Sequence, residues 1–160
     1  MARLNYLYIY CEWLDSSLVK KWIPDAKLVT TAVCPDHKVS FVSYKDDKGE
    51  EFEGGCCLTD AQGETLYGVV WEVSEEALLS LDKLVKINEG KYTREYRAVK
   101  GNDGVAYATV SHSIKNPTGI SLPSKEYLSH MVEGAKEFNF PAEYVEKLEA
   151  LGQKEAESLA

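Results

Sequence analysis

Apolar positions fall into two rhythms along this chain. Leu4 to Tyr10 is a short run of tyrosine and aliphatic residues, and it reads as a buried strand. Asp15-Ser16-Ser17 offers caps for a short helix carrying Leu18, Val19 and Trp22, which stops near Pro24. Lys27 to Val33 and Lys38 to Tyr44 read as strands, followed by a turn at Asp46-Asp47-Lys48-Gly49. Cys56 to Thr59 and Thr65 to Val73 suggest a hairpin across Asp60-Ala61-Gln62-Gly63. Ser74 caps a helix whose first turn holds Glu75 and Glu76 and whose apolar face is Ala77, Leu78, Leu81, Leu84 and Val85. Tyr92 to Val99 and Val105 to Val110 make a second hairpin about Asn102-Asp103-Gly104. Helical spacing returns at Ser124 to Phe138, with Tyr127, Leu128, Met131, Val132 and Ala135 on one side. Pro141 opens a last helix through Leu151, which Gly152 is placed to end. Six or seven strands joined mostly by hairpins, with helices between and after them, predict an α+β fold. Its expected form is a closed or nearly closed, mainly antiparallel β-barrel flanked by helices. Residues 1–152 form the expected single domain, and residues 153–160 a charged tail.

Composition narrows the function classes. The chain has 160 residues, 44% hydrophobic and 28% charged, which suits one globular domain and excludes wholesale disorder. A net charge of -8 argues against nucleic acid or anionic lipid as partner, because the chain would repel phosphate. No apolar run has the length of a membrane helix. The opening Met1-Ala2-Arg3-Leu4-Asn5 does not read as a signal peptide, so the expected compartment is the cytoplasm. Cys11, Cys34, Cys56 and Cys57 lack zinc spacing and read as free, packed thiols. His37, His112 and His130 have no metal-ligand spacing, and no phosphate loop is present. No metal or cofactor is therefore expected, and the partner is a small-molecule ligand for a monomer or homodimer.

Several segments, in order, resemble the gamma-glutamylcyclotransferase family and its AIG2-like and butirosin-pathway relatives. Tyr8-Ile9-Tyr10-Cys11-Glu12-Trp13-Leu14 stands where the family has a strand entering a Tyr-Gly-Ser-Asn-Leu loop. Gly54-Gly55, Gly68-Val69-Val70-Trp71, Ser80-Leu81-Asp82 and Gly90-Lys91-Tyr92 match further signatures. So do Tyr107, Tyr127 within Pro123-Ser124-Lys125-Glu126-Tyr127, and the closing Gly134-Ala135-Lys136-Glu137 through Pro141-Ala142-Glu143-Tyr144. The match spans roughly residues 5 to 151 and implies the barrel fold.

The resemblance also implies a lyase or transferase chemistry. Family members cleave gamma-glutamyl amides when the substrate's α-amine attacks its own γ-carbonyl, giving 5-oxoproline and a free amine. A glutamate in the pattern Leu-Asp-x-x-Glu-Gly moves the proton, and this chain reads Leu81-Asp82-Lys83-Leu84-Val85-Lys86, with Val85 at that place. The loop departs too, with Cys11, Glu12 and Trp13 replacing Gly, Ser and Asn. The expected substrate-binding residues are Tyr10, Cys11, Trp13, Leu14, Tyr107 and Tyr127, and Glu12 is the candidate catalytic residue. Three readings of the loop stay open. Glu12 takes over as acid and base; or the pocket holds another small amino-acid-derived or amide ligand, with Glu12 against a cation and Trp13 as a stacking face; or the pocket is dead and Glu12 is exposed to solvent. A non-catalytic binding module built on an inactivated enzyme is the alternative function. Glu89 reads as an exposed carboxylate, and His112 and His130 read as exposed.

Overall fold

The computed structural model describes residues 4–159, with side chains described through residue 151. Strand β1 (Leu4–Ile9) leads through a 3-10 turn (Glu12–Leu14) into helix α1 (Ser16–Trp22). Strands β2 (Lys27–Lys45) and β3 (Glu51–Ser74), helix α2 (Glu75–Leu84) and strands β4 (Tyr92–Gly101), β5 (Ala106–Ile114) and β6 (Pro117–Ile120) follow. Helices α3 (Lys125–Glu137) and α4 (Ala142–Leu159) close the described chain. The sheet runs β3-β1-β5-β4-β2-β6, and β2 also pairs β3. That last pairing closes a five-strand barrel, with β6 added outside on β2. Closure removes the free edges that an open sheet would expose. The β1–β5 contact is parallel and the other pairings are antiparallel.

The sequence pattern divides β2 and β3 where the chain does not. Lys27–Lys45 is one strand, and Glu51–Ser74 runs through Asp60-Ala61-Gln62-Gly63 rather than turning there. The register instead jumps between Pro35↔Thr65 and His37↔Asp60, so the extra residues form a bulge. Asp36 and Gly63 take positive φ at this point, and Gly63 N–H donates to Asp36 Oδ1 at 2.9 Å. Polar residues that looked like a hairpin turn are a ladder irregularity. The actual hairpin is the Asp46–Gly49 turn.

The core lies inside the barrel and under the helices. Tyr8 points inward, and its hydroxyl donates to the carbonyls of Leu66 at 2.9 Å and Ala32 at 3.2 Å. A buried phenol needs such partners. Gly68 lies against that ring; a Cβ there would collide with Tyr8 and the Ile9 carbonyl. The helix starts are those the sequence marks. Ser74 accepts from Ala77 N–H and Ser124 from Tyr127 N–H. The last helix continues past Gly152, where the sequence suggests a stop. The side chains of the expected tail lie outside the described residues. Among the described residues no helix is long and apolar enough to cross a membrane.

Candidate functional site

At the end of the barrel where β1 exits, a cavity of about 390 Å³ opens between the Tyr10–Trp13 loop, the end of α2 and the strands. Its wall includes Tyr10, Cys11, Glu12, Trp13, Val85, Tyr92, His112 and Tyr127. The chain enters the loop from β1 and is pinned twice. Tyr10 hydroxyl donates to the His112 carbonyl at 2.8 Å. Leu14, fully buried, packs against Gly134 of α3, where a Cβ would fall on the Leu14 carbonyl. Asp15 then caps α1, accepting from Ser17 N–H at 3.1 Å, and its second oxygen meets His130 Nδ1 at 2.8 Å.

Glu12 is the sole carboxylate among the described wall residues, and no lysine or arginine is among them. Burial raises its carboxyl above the ordinary range, Glu126 and Asp15 add to the rise, and His130 opposes it. A carboxyl so placed sits nearer the range useful for proton exchange. Tyr92 and Tyr127 hold their protons firmly. Burial pushes the Tyr92 phenol up to about 12 and that of Tyr127 well above its ordinary value. These two are hydrogen-bonding groups rather than titrating ones at neutral pH. Tyr127 also meets Phe41 edge-to-face at 5.6 Å between centroids.

Two of the expected wall residues lie elsewhere. Leu14 does not line the cavity; its side chain is spent on the α3 seam. Tyr107 stands toward the other end of the barrel, edge-to-face with Tyr6 at 5.0 Å, its hydroxyl donating to Asp103. The parallel Leu7↔Val110 register explains this, since Tyr107 is level with the start of β1 while the cavity lies at its end. Tyr92 stands in the wall instead, beside Tyr8, Tyr10 and Tyr127. It was visible in Gly90-Lys91-Tyr92, but only the β4–β5 register shows which tyrosine reaches the mouth.

The cysteines are also corrected. Cys11 and Cys56, expected as free thiols, are joined in a disulfide across the cavity wall, because closure lays the loop after β1 over β3. Cys34 and Cys57 are free and buried. Glu89 lies away from the cavity wall, half exposed and 3.4 Å from Lys86.

His112, expected to be exposed, is part-buried in the wall, its side chain 11% exposed. Its Nε2 lies 2.9 Å from Asp82 Oδ1, and Asp82 also accepts from Arg94 Nε at 3.1 Å. Arg94 and His112 are directly opposite on β4 and β5, and Asp82 of α2 bridges them. Burial lowers the imidazole below its ordinary value and Arg94 adds to the fall, while Asp82 opposes it.

Comparisons with known proteins agree with this architecture. The model of the AIG2-like family matches residues 65–148. A gamma-glutamylcyclotransferase of Bos taurus is 29% identical over 129 residues, covering 80% of this chain and 68% of its own. Its Mus musculus counterpart is 29% identical over 133 residues, covering 82% and 70%. A solved structure of a gamma-glutamyl cyclotransferase superposes with a TM-score of 0.83 at 25% identity, over 93% of this chain and 88% of that one. The barrel, its mouth and these matches together place the chain in the AIG2-like, gamma-glutamylcyclotransferase family.

Proposed function

We propose that this chain binds a gamma-glutamyl-type amide in the barrel-mouth cavity and closes it to 5-oxoproline, with Glu12 as the proton carrier. The observation that supports this most is the place of Glu12, the one carboxylate among the described residues of an aromatic wall. The reaction asks little of the protein. The amine and the carbonyl it attacks belong to one molecule, so ring closure is favoured by proximity. A C–N bond forms to the γ-carbon and the amide C–N bond breaks. The ammonium proton must leave before attack, and the departing nitrogen must gain one. A carboxylate serves both needs. Glu12 also suits the ammonium by charge, since no fixed cation in the described wall competes for it.

A second reading, binding without turnover, is favoured by Val85. This side chain lines the wall where the resemblance to the family calls for an acid, and it carries no proton. One experiment separates the two. Purified protein is incubated with a panel of gamma-glutamyl dipeptides and gamma-glutamyl-lysine, and 5-oxoproline is assayed. Glu12→Gln lowers turnover ~100-fold under the first reading. A wild-type protein that shifts its melting temperature with an amide but releases no 5-oxoproline supports the second. Val85→Glu then restores turnover if the rest of the wall is intact.

A further inference from the structure

The resemblance puts proton movement on a glutamate, and the loop supplies Glu12 in its place. A second group in the same cavity has the placement of a base. His112 lies on β5, across from Arg94 on β4, and a cation opposite an imidazole disfavours its protonation. Asp82, one helical turn before Val85, lies over both. It takes two contacts from Arg94 Nε at 3.1 Å and one to His112 Nε2 at 2.9 Å. The His112 and Asp82 side chains are 11% and 15% exposed, so water screens the group weakly. An ionised Asp82 fixes the hydrogen on Nε2 and leaves the lone pair on Nδ1. The peptide of His112 is held as well, through its carbonyl and the Tyr10 hydroxyl at 2.8 Å. An oriented imidazole with a part-buried carboxylate behind it, in the wall of a ligand-sized cavity, is the arrangement that general bases share.

We propose that His112 is a second catalytic residue of this cavity, a base that works with Glu12, while Asp82 and Arg94 are its positioning residues. The inference rests on the reading of the reaction given above. His112 Nδ1 takes one proton from the substrate ammonium, which the Glu12 carboxylate attracts, and the freed amine attacks the γ-carbonyl. The attacking nitrogen then gives its second proton to the Glu12 carboxylate, which passes it to the departing nitrogen as the amide C–N bond breaks. The imidazolium gives its proton to the released amine, which leaves as an ammonium, and both groups are restored. The environments fit this division. Burial disfavours the imidazolium of His112 and raises the Glu12 carboxyl toward the range where protons exchange.

The test measures 5-oxoproline release against pH for wild type, His112→Gln, Asp82→Asn, Arg94→Gln and the control His37→Gln. His112→Gln lowers kcat ~100-fold with KM changed less than about threefold, and His37→Gln changes neither. Asp82 raises the His112 pKa and Arg94 lowers it. The acid limb of the rate profile therefore moves to lower pH in Asp82→Asn and to higher pH in Arg94→Gln. A merely structural role would not give opposite shifts. An active wild type with equally active His112→Gln overturns the inference and leaves the reading of the reaction standing. If wild type releases no 5-oxoproline, that reading fails, and a ligand-free measurement decides the base. Diethyl pyrocarbonate, which acylates accessible neutral imidazole nitrogen, modifies His112 in the native protein, as located by mass spectrometry. A His112 that resists the reagent overturns the inference whatever the amides do.

Discussion

The cavity has two walls, and each rests on a histidine–aspartate contact. On the loop side, His130 Nδ1 meets Asp15 at 2.8 Å; on the strand side, His112 Nε2 meets Asp82 at 2.9 Å. The lengths are nearly equal, yet the imidazoles shift in opposite directions. His130 is raised, chiefly by its bond to Asp15, because its ring stays in contact with water. His112 is lowered, chiefly by burial, and Arg94 adds to that while Asp82 resists it. Two residues at bonding distance do not define an electrostatic state. Solvation and the third charge decide its sign. The loop pair is thus a clamp that holds a helix start, and the strand pair is a poised base.

The loop wall depends on α3 more than on its ion pair, and one added methyl tests that. Gly→Ala inside a helix ordinarily gains about 1 kcal/mol. At Gly134 the new Cβ would fall on the Leu14 backbone carbonyl, which cannot turn aside as a flexible side chain does. Overpacking then outweighs propensity, and Gly134→Ala is expected to cost about 2 kcal/mol, near 5 °C in melting temperature. It also displaces the turn that carries Glu12. An unchanged melting temperature would mean that the loop wall is not seated on α3.

That seam shows what was legible in sequence and what was not. Ser74 and Ser124 announce their helices, because a cap is a local event among three or four residues. The tyrosine-rich aliphatic run of β1 and the Asn102-Asp103-Gly104 turn between β4 and β5 announce strands for the same reason. The bulge opposite Pro35 was not legible, since polar Asp60 to Gly63 fits a turn or a ladder irregularity equally well. Glu12 was identified from the loop, and the cavity contains it. Tyr107 and Tyr92 both sat in matching segments, but choosing between them requires the register of β5 on β1. His112 looked exposed because nothing near it in sequence buries it. Its partners Asp82 and Arg94 lie 30 and 18 positions away, and only the packing of α2 on the sheet brings them together.

The two aspartates give the next contrast. Asp82→Asn keeps the shape but removes the charge that Arg94 and His112 share. Hydrogen bonds to charged groups contribute ~1.5–3 kcal/mol, so a loss of about 2 kcal/mol is expected. Asp15→Asn keeps a good helix cap and loses a contact that water partly screens, so it costs under ~1 kcal/mol. Chemical denaturation of the two variants measures the difference directly. Equal losses would abolish the distinction between the loop clamp and the strand-side base pair.

The smallest effect is in pH dependence, where the two walls have opposite sign. His130 has a folded-state pKa above its ordinary 6.5. Its contribution to stability is complete below that value and is lost as pH rises through the higher folded pKa. His112 has a folded-state pKa below 6.5. The folded protein then binds this proton less readily than the unfolded chain, so its contribution is complete above 6.5 and is lost as pH falls toward the folded pKa. Subtracting the stability profile of His130→Gln from that of wild type should leave a slope on the alkaline side of 6.5. The same subtraction with His112→Gln should leave a slope on the acid side. The Asp15 carboxyl, lowered chiefly by its bond from Ser17, keeps the clamp charged down to acid pH, so the first slope is not confused with its titration. If both differences fell on the same side, burial would not govern His112, and the strand wall would be a second clamp rather than a base held ready.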